Sequence, residues 1–188
     1  MADYKIIVIG GSAGSFSVVG RILSGIRQDF PLPIVVCMHR LKHIRSGFVE
    51  SLNDRSTLPV VEPYDKDAIE SGRVYLAPAN YHLLVEYDDT FSLSIEEASN
   101  FCRPALDRTF SSVAEVYGSS AVGILLTGAN KDGAEGLRDM SDRGATTIVQ
   151  DPESAEMATM PRAALRLMKP DYVYSPQQIV EYLNNIEI

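Results

Sequence analysis

Lys5-Ile6-Ile7-Val8-Ile9-Gly10-Gly11-Ser12-Ala13-Gly14 is an apolar, β-branched run that ends abruptly in small residues. It has no polar alternation, so both of its faces must be covered, as in a strand inside a parallel sheet with helices on either side. The small residues that follow permit a sharp turn. From Phe16 onward Val18, Val19, Ile22, Leu23 and Ile26 recur at helical spacing, which predicts a helix over 16–27 that Ser12 or Ser15 can cap. Residues 33–38 repeat the buried-strand texture up to His39, and 45–53 read as a short helix. The chain therefore opens as a β-α-β unit with a right-handed crossover.

Further along, 58–97 breaks into short runs at 59–62, 73–77, 82–87 and 91–95, with Asp88-Asp89 between the last two, and reads as an antiparallel hairpin region appended to the sheet. A helix is predicted over 104–117, opened by Pro104 and striped by Leu106, Phe110, Val113 and Val116. A strand over 121–127, a loop over 128–133 and a helix over 134–143 follow. The last elements are a strand over 145–150, a helix over 160–168, a strand over 172–174 and a helix over 176–185 opened by Pro176. With no linker and no internal repeat, the expected fold class is α/β: a single doubly wound domain over 1–188 with a mostly parallel sheet and the appended hairpin region.

Composition narrows the function classes. The 188 residues suit one domain at about 150 residues each, and 45% hydrophobic content suits a buried core. Seventeen Lys and Arg against 25 Asp and Glu leave a net charge of −8, which argues against a nucleic-acid partner. No apolar run approaches the roughly 18 residues of a membrane span, and the first residues lack a signal-peptide profile, so no membrane insertion and a cytoplasmic location are expected. Cys37 and Cys102 are too few for a disulfide framework. His39, His43 and His82 are the only histidines, so imidazole chemistry has few candidates.

In open α/β sheets ligands bind beyond the carboxyl ends of the strands, and Ser12, His39 and Asp132 all fall there. A serine hydroxyl becomes a nucleophile when an imidazole accepts its proton, and the imidazole needs a carboxylate on its other nitrogen. Gly10-Gly11-Ser12-Ala13-Gly14 matches the G-x-S-x-G elbow. An α/β-hydrolase, however, places its histidine after its acid, and no histidine follows His82 here. That leaves Ser12 and His39 with either Asp132 or Asp151, at the end of the strand over 145–150, as the acid. No dinucleotide or P-loop motif is present, and nothing completes a metal site around His39 and His43, so neither cofactor nor metal is expected. Cys37, two residues before His39, offers a cysteine–histidine pair but reads as inert core. His82 reads as structural or surface, His43 as surface, and Arg103, just before Pro104, as a group that positions a substrate carbonyl or carboxylate.

The segments IIVIGGSAGSFSVV, IVVCMHR, GRVYLAPANYHLLV, CRPALDRTFSSVAEVYG, AVGILLTGANKDGAEGL and TTIVQDPESAEMATMPRAAL, in this order and spacing, resemble the catalytic domain of the CheB protein-glutamate methylesterase family. The resemblance covers nearly the whole chain. By position it implies Ser12 as nucleophile, His39 as base and Asp132, over Asp151, as acid. It implies a hydrolase that removes methyl groups from γ-glutamyl esters on the cytoplasmic helices of methyl-accepting chemotaxis proteins, and that deamidates receptor glutamines. The amide of Ala13 and one from the 128–130 loop, taken as Ala129, would hold the oxyanion. The chain departs from the family in Ala13 and Ser15, where a threonine and a glycine are usual, and in Ala129-Asn130, where Met-Gly is usual. These departures keep two other readings open: an inert regulatory or binding module of the same fold, and an esterase for another acyl substrate. Full-length relatives carry a receiver domain of about a hundred residues, for which there is no room ahead of Tyr4. The chain is then a stand-alone form or a piece of a longer protein, and a separate receiver-domain protein is the expected seat of phosphorylation control.

Overall fold

The structure, a computed structural model, describes residues 3–40 and 47–186. In chain order its elements are β1 (Ile6–Gly11), α1 (Ser15–Gly25), β2 (Ile34–Met38), α2 (Phe48–Asn53), β3 (Val60–Val61), β4 (Val74–Leu76), β5 (His82–Val85) and β6 (Phe91–Ser94). There follow α3 (Leu106–Tyr117), β7 (Ala121–Leu125), α4 (Ala134–Asp142), β8 (Thr146–Gln150), α5 (Thr159–Leu167), β9 (Tyr172–Tyr174) and α6 (Pro176–Asn184). Seven strands form one parallel sheet in the order β3-β4-β2-β1-β7-β8-β9, while β5 and β6 pair as a separate antiparallel hairpin. No helix among the described residues is long and apolar enough to cross a membrane.

β1 is central, and all six of its residues are buried. Its side chains alternate between two cores. Ile7 and Ile9 join Val19, Ile22 and Leu23 of α1, Leu52 of α2 and Ile179 and Leu183 of α6; Ile6 and Val8 join Leu106, Phe110 and Val113 of α3, Leu137 and Met140 of α4 and Leu83 and Phe91 of the hairpin. This two-sided burial is what the missing polar alternation in the sequence requires. Each fully buried Ile, Val, Leu or Phe side chain contributes about 1.5–3 kcal/mol.

Three local readings differ from the structure. The antiparallel part is confined to β5 and β6, because β3 and β4 join the main sheet in parallel. The connection between those two strands is long enough to cross over and lies along β6, where Lys66 N–H donates to Phe91 O and Phe91 N–H to Asp67 O. Neither serine caps α1: its N-cap is Gly14 at φ 79°, and Ser15 Oγ–H instead donates back to Ser12 O at 2.6 Å. Helix α3 starts at Leu106, since Ala105 before it is extended. Of the helix expected over 45–53, the structure shows 48–53; residues 45 and 46, and His43, lie outside the described residues.

Helices α3 and α4 approach closely at Gly136, where a Cβ would stand 2.7 Å from both the Asp107 carbonyl oxygen and Phe110 Cβ. Neither atom is the end of a flexible side chain. Gly136→Ala is therefore expected to destabilise the fold by roughly 1–3 kcal/mol, read as a lower urea midpoint at unchanged slope. A wild-type midpoint would contradict this close approach.

Candidate active site

The register of the sheet brings two of the candidate residues together. Gly10 and Gly11 of β1 lie opposite Cys37 and Met38 of β2, and Gly10 lies opposite Leu125 of β7. One residue beyond, His39 N–H still donates to Gly11 O at 3.3 Å and Ser12 N–H to Thr127 O at 3.0 Å. Ser12 and His39 thus leave adjacent strands side by side at their carboxyl ends. Ser12 Oγ lies 3.1 Å from His39 Nδ1, and His39 Nε2 lies 2.7 Å from Asp132 Oδ2. Because a carboxylate only accepts, Nε2 carries the hydrogen and Nδ1 presents its lone pair to the serine hydroxyl. Ser12 and His39 are half-buried and Asp132 is fully buried.

Asp132 comes from the β7–α4 loop and is held by the start of α3. The amides of Leu106 and Asp107 donate to its two oxygens at 2.7 and 3.1 Å, and Asn100 Nδ2 donates at 3.2 Å. Helix α3 has no side-chain cap of its own, so Asp132 takes that place from another segment. Burial pushes its carboxyl up, but the hydrogen bond with His39 and the Leu106 and Asp107 amides outweigh burial and hold it below the usual carboxylate range. Asp107 returns the arrangement. Its Oδ1 accepts the amides of Gly133 and Gly136, each at 2.8 Å, at the start of α4. Burial and then the nearby Asp132 charge raise the Asp107 carboxyl to about 6, despite those two amides.

The remaining candidates are distributed as follows. Ala13 and Ala129 are exposed in the turns beside Ser12 and after Thr127. The amides of Ser12 and Gly128 are taken by the Thr127 and Met157 carbonyls, so Ala13 and Ala129 carry the next amide in each turn. Arg103 binds Asn80 Oδ1 and the carbonyls of Ile95 and Glu96, tying the exit of the hairpin to the start of α3. Asp151 accepts the Glu153 amide at 3.0 Å and caps a short 3-10 turn. Cys37 is buried beneath Thr109, and burial pushes its thiol up to about 12. His82 is fully buried, with Nδ1 accepting the Ala105 amide and Nε2 donating to Glu97 O.

The sequence reading names Asn130 only as a departure from the family, and it misses the places of Cys102, Asn100 and Asp107. Asn130 Oδ1 accepts the Asp132 amide at 3.0 Å while its Nδ2 lies 3.4 Å from His39 Nδ1. Its place two residues before Asp132 was a usable signal. Cys102 and Asn100 arrive on a tight turn in which Ser99 and Cys102 exchange backbone hydrogen bonds, and nothing in their spacing announces it.

The Asp107 carboxyl rises from 3.8 to about 6 on folding, so between those values the folded chain binds more protons than the unfolded one. The stability this group contributes is fully present below the lower value and is lost as pH rises through the upper one. Asp107→Asn keeps an oxygen for the Gly133 and Gly136 amides and removes the charge. Its stability relative to the wild type is expected to rise by about 1 kcal/mol between pH 4 and pH 8 in urea titrations, after allowance for partial exposure. A difference independent of pH would contradict it.

The family pattern described as CheB methylesterase matches residues 7–183. A Leptospira interrogans protein, whose name joins protein-glutamate methylesterase with protein-glutamine glutaminase, is 42% identical over 98% of both chains. A Geobacter metallireducens protein-glutamate methylesterase/protein-glutamine glutaminase is 39% identical over 98% of this chain but only 54% of its own length. The crystal structure of the Thermotoga maritima CheB methylesterase catalytic domain superposes with a TM-score of 0.92 at 33% identity, over 96% of this chain and 97% of that one. With the family pattern running from β1 into α6 and the same fold in the Thermotoga domain, the chain belongs to the CheB methylesterase family.

Proposed function

We propose that the protein is a serine hydrolase that cleaves γ-glutamyl methyl esters on the cytoplasmic helices of chemoreceptors, with Ser12 as nucleophile, His39 as general base and Asp132 as the group that orients the imidazole. The observation that carries this reading is the hydrogen-bonded line from Ser12 Oγ through His39 to Asp132, at 3.1 and 2.7 Å. The names of the Leptospira and Geobacter relatives support the choice of substrate.

In the first half-reaction His39 Nδ1 takes the Ser12 proton as Oγ attacks the ester carbonyl, and Asp132 stabilises the imidazolium through Nε2–H. The amides of Ala13 and Ala129 hold the oxyanion. His39 returns the proton to the departing methoxide, methanol leaves, and the glutamyl chain stays on Ser12 as an ester. Water, deprotonated by the same nitrogen, then frees the glutamate. With glutamine the leaving group is ammonia. The low carboxyl pKa of Asp132 suits a group that stays ionised throughout. Arg103 acts on this reading as a positioning residue, through the hairpin rather than on the substrate.

Methanol release from a methylated receptor fragment tests the proposal. Ser12→Ala and His39→Gln are each expected to lower kcat by at least roughly 10³-fold, and Asp132→Asn to do so while Ser12 remains in place. Full activity in Ser12→Ala would overturn the assignment. A fluorophosphonate that fails to label Ser12 in the folded wild type would favour the inert-module reading, and faster turnover of unrelated small esters would favour another acyl substrate.

A further inference from the structure

The nitrogen that faces Ser12 has a further neighbour besides Asn130 Nδ2, which lies 3.4 Å away. Cys102 Sγ lies 3.6 Å from His39 Nδ1, and donor atoms of His39, Cys102 and Asp132 all fall within 4.8 Å of one another. We propose that His39 Nδ1 and Cys102 Sγ form a binding site for a thiophilic divalent cation such as Zn²⁺, which switches the enzyme off by occupying the lone pair that Ser12 needs.

The spacing suits the metal. With a Zn–N bond of about 2.0 Å and a Zn–S bond of about 2.3 Å, an N···S separation of 3.6 Å closes an angle of about 110°, close to tetrahedral. Ser12 Oγ, 3.1 Å from the same nitrogen, would subtend about 100° with bonds of about 2.0 Å and can act as a third ligand, with water as the fourth. Asp132 does not ligate. It holds Nε2 on the far side of the ring, where a carboxylate fixes the tautomer and makes the imidazole a better donor. The tautomer it enforces leaves Nδ1 unprotonated, the form a metal binds.

Burial, followed by the charge of Asp132, raises the Cys102 thiol above its ordinary value, so the free thiol is neutral at neutral pH. The same negative charge that disfavours a bare thiolate favours a cation beside it. On binding, the S–H bond is replaced by S–Zn and the proton passes to the buffer. Both side chains are half-buried, so the cation can reach them from solvent.

Inhibition rests on the hydrolase reading; binding does not. Titration of the purified protein with Cd²⁺ and Co²⁺, which report thiolate ligation by charge-transfer absorbance, is expected to show one equivalent bound through sulfur. The band should vanish in Cys102→Ala and Cys102→Ser, both checked for folding by circular dichroism. Zn²⁺ affinity should fall 10–100-fold in Asp132→Asn. Zn²⁺ should slow fluorophosphonate labelling of Ser12 at least tenfold in the wild type, reversibly with a chelator, and leave labelling of Cys102→Ala unchanged. A band that survives in both Cys102 variants, or no binding at micromolar metal, overturns the site. Binding through Cys102 with unaltered labelling overturns the inhibition. If Ser12 never labels, the hydrolase reading fails, while the absorbance titration still decides the metal site.

Discussion

Two helix starts exchange carboxylates, and the site depends on that exchange. Asp132, at the head of α4, accepts the first amides of α3, and Asp107, at the head of α3, accepts amides at the start of α4. Neither helix has a side-chain cap from its own N-cap residue. Unsatisfied amides and the positive end of a helix dipole make each start a site for an anion. The two acids fill those places reciprocally and lock α3 against α4, and Gly136 lets the helices come close enough to do so. Asp132 is thereby buried, ionised and aimed at His39. Asp107 carries the electrostatic strain, with a carboxyl raised to about 6 beside a like charge.

The hairpin extends this constraint outward. His82 accepts the Ala105 amide, Thr109 Oγ1–H donates to Leu83 O at 2.8 Å, and Arg103 clamps Asn80 and the carbonyls after β6. Each of these bonds positions the first turn of α3, whose amides hold Asp132. A segment that offers no group to the Ser12–His39–Asp132 line therefore sets its geometry. The buried histidine is structural here, and burial pushes its imidazole down toward the neutral form that can accept the Ala105 amide.

Much of the fold could be read from local pattern because it is local. The uninterrupted apolar run 6–9 needs cover on both faces wherever it lies, and Ile7 and Ile9 against Ile6 and Val8 reach those two cores. The extent of the antiparallel region could not be read in the same way. Val60–Val61 and Val74–Leu76 are too short to carry a period, and their direction is set by a crossover that packs on the hairpin. Pro104 looks like a helix start by type, yet the helix begins two residues later because Ala105 is extended. The surroundings of the site were the least legible part. Asn100 and Cys102 reach His39 and Asp132 from a turn with no sequence signal, at separations that only a folded sheet can close.

The sequence by itself determined the parallel sheet and the exit of Ser12 and His39 at one edge, because hydrophobic period and chain order fix which strands are buried and where they end. It also determined that His39, His43 and His82 are the only imidazoles and that none of them follows Asp132 in the chain. Chain order left Asp132 and Asp151 equivalent, since both follow strands; beyond the family resemblance, which implies Asp132, only the tertiary structure decided what the oxygens of each acid meet. Asp151 turns back on the Glu153 amide, whereas Asp132 meets His39 and the open end of α3. The same is true of Cys37 and Cys102. The cysteine nearer in sequence is sealed in the core beneath Thr109, and the distant one stands at the imidazole, because proximity in a folded chain follows packing rather than spacing.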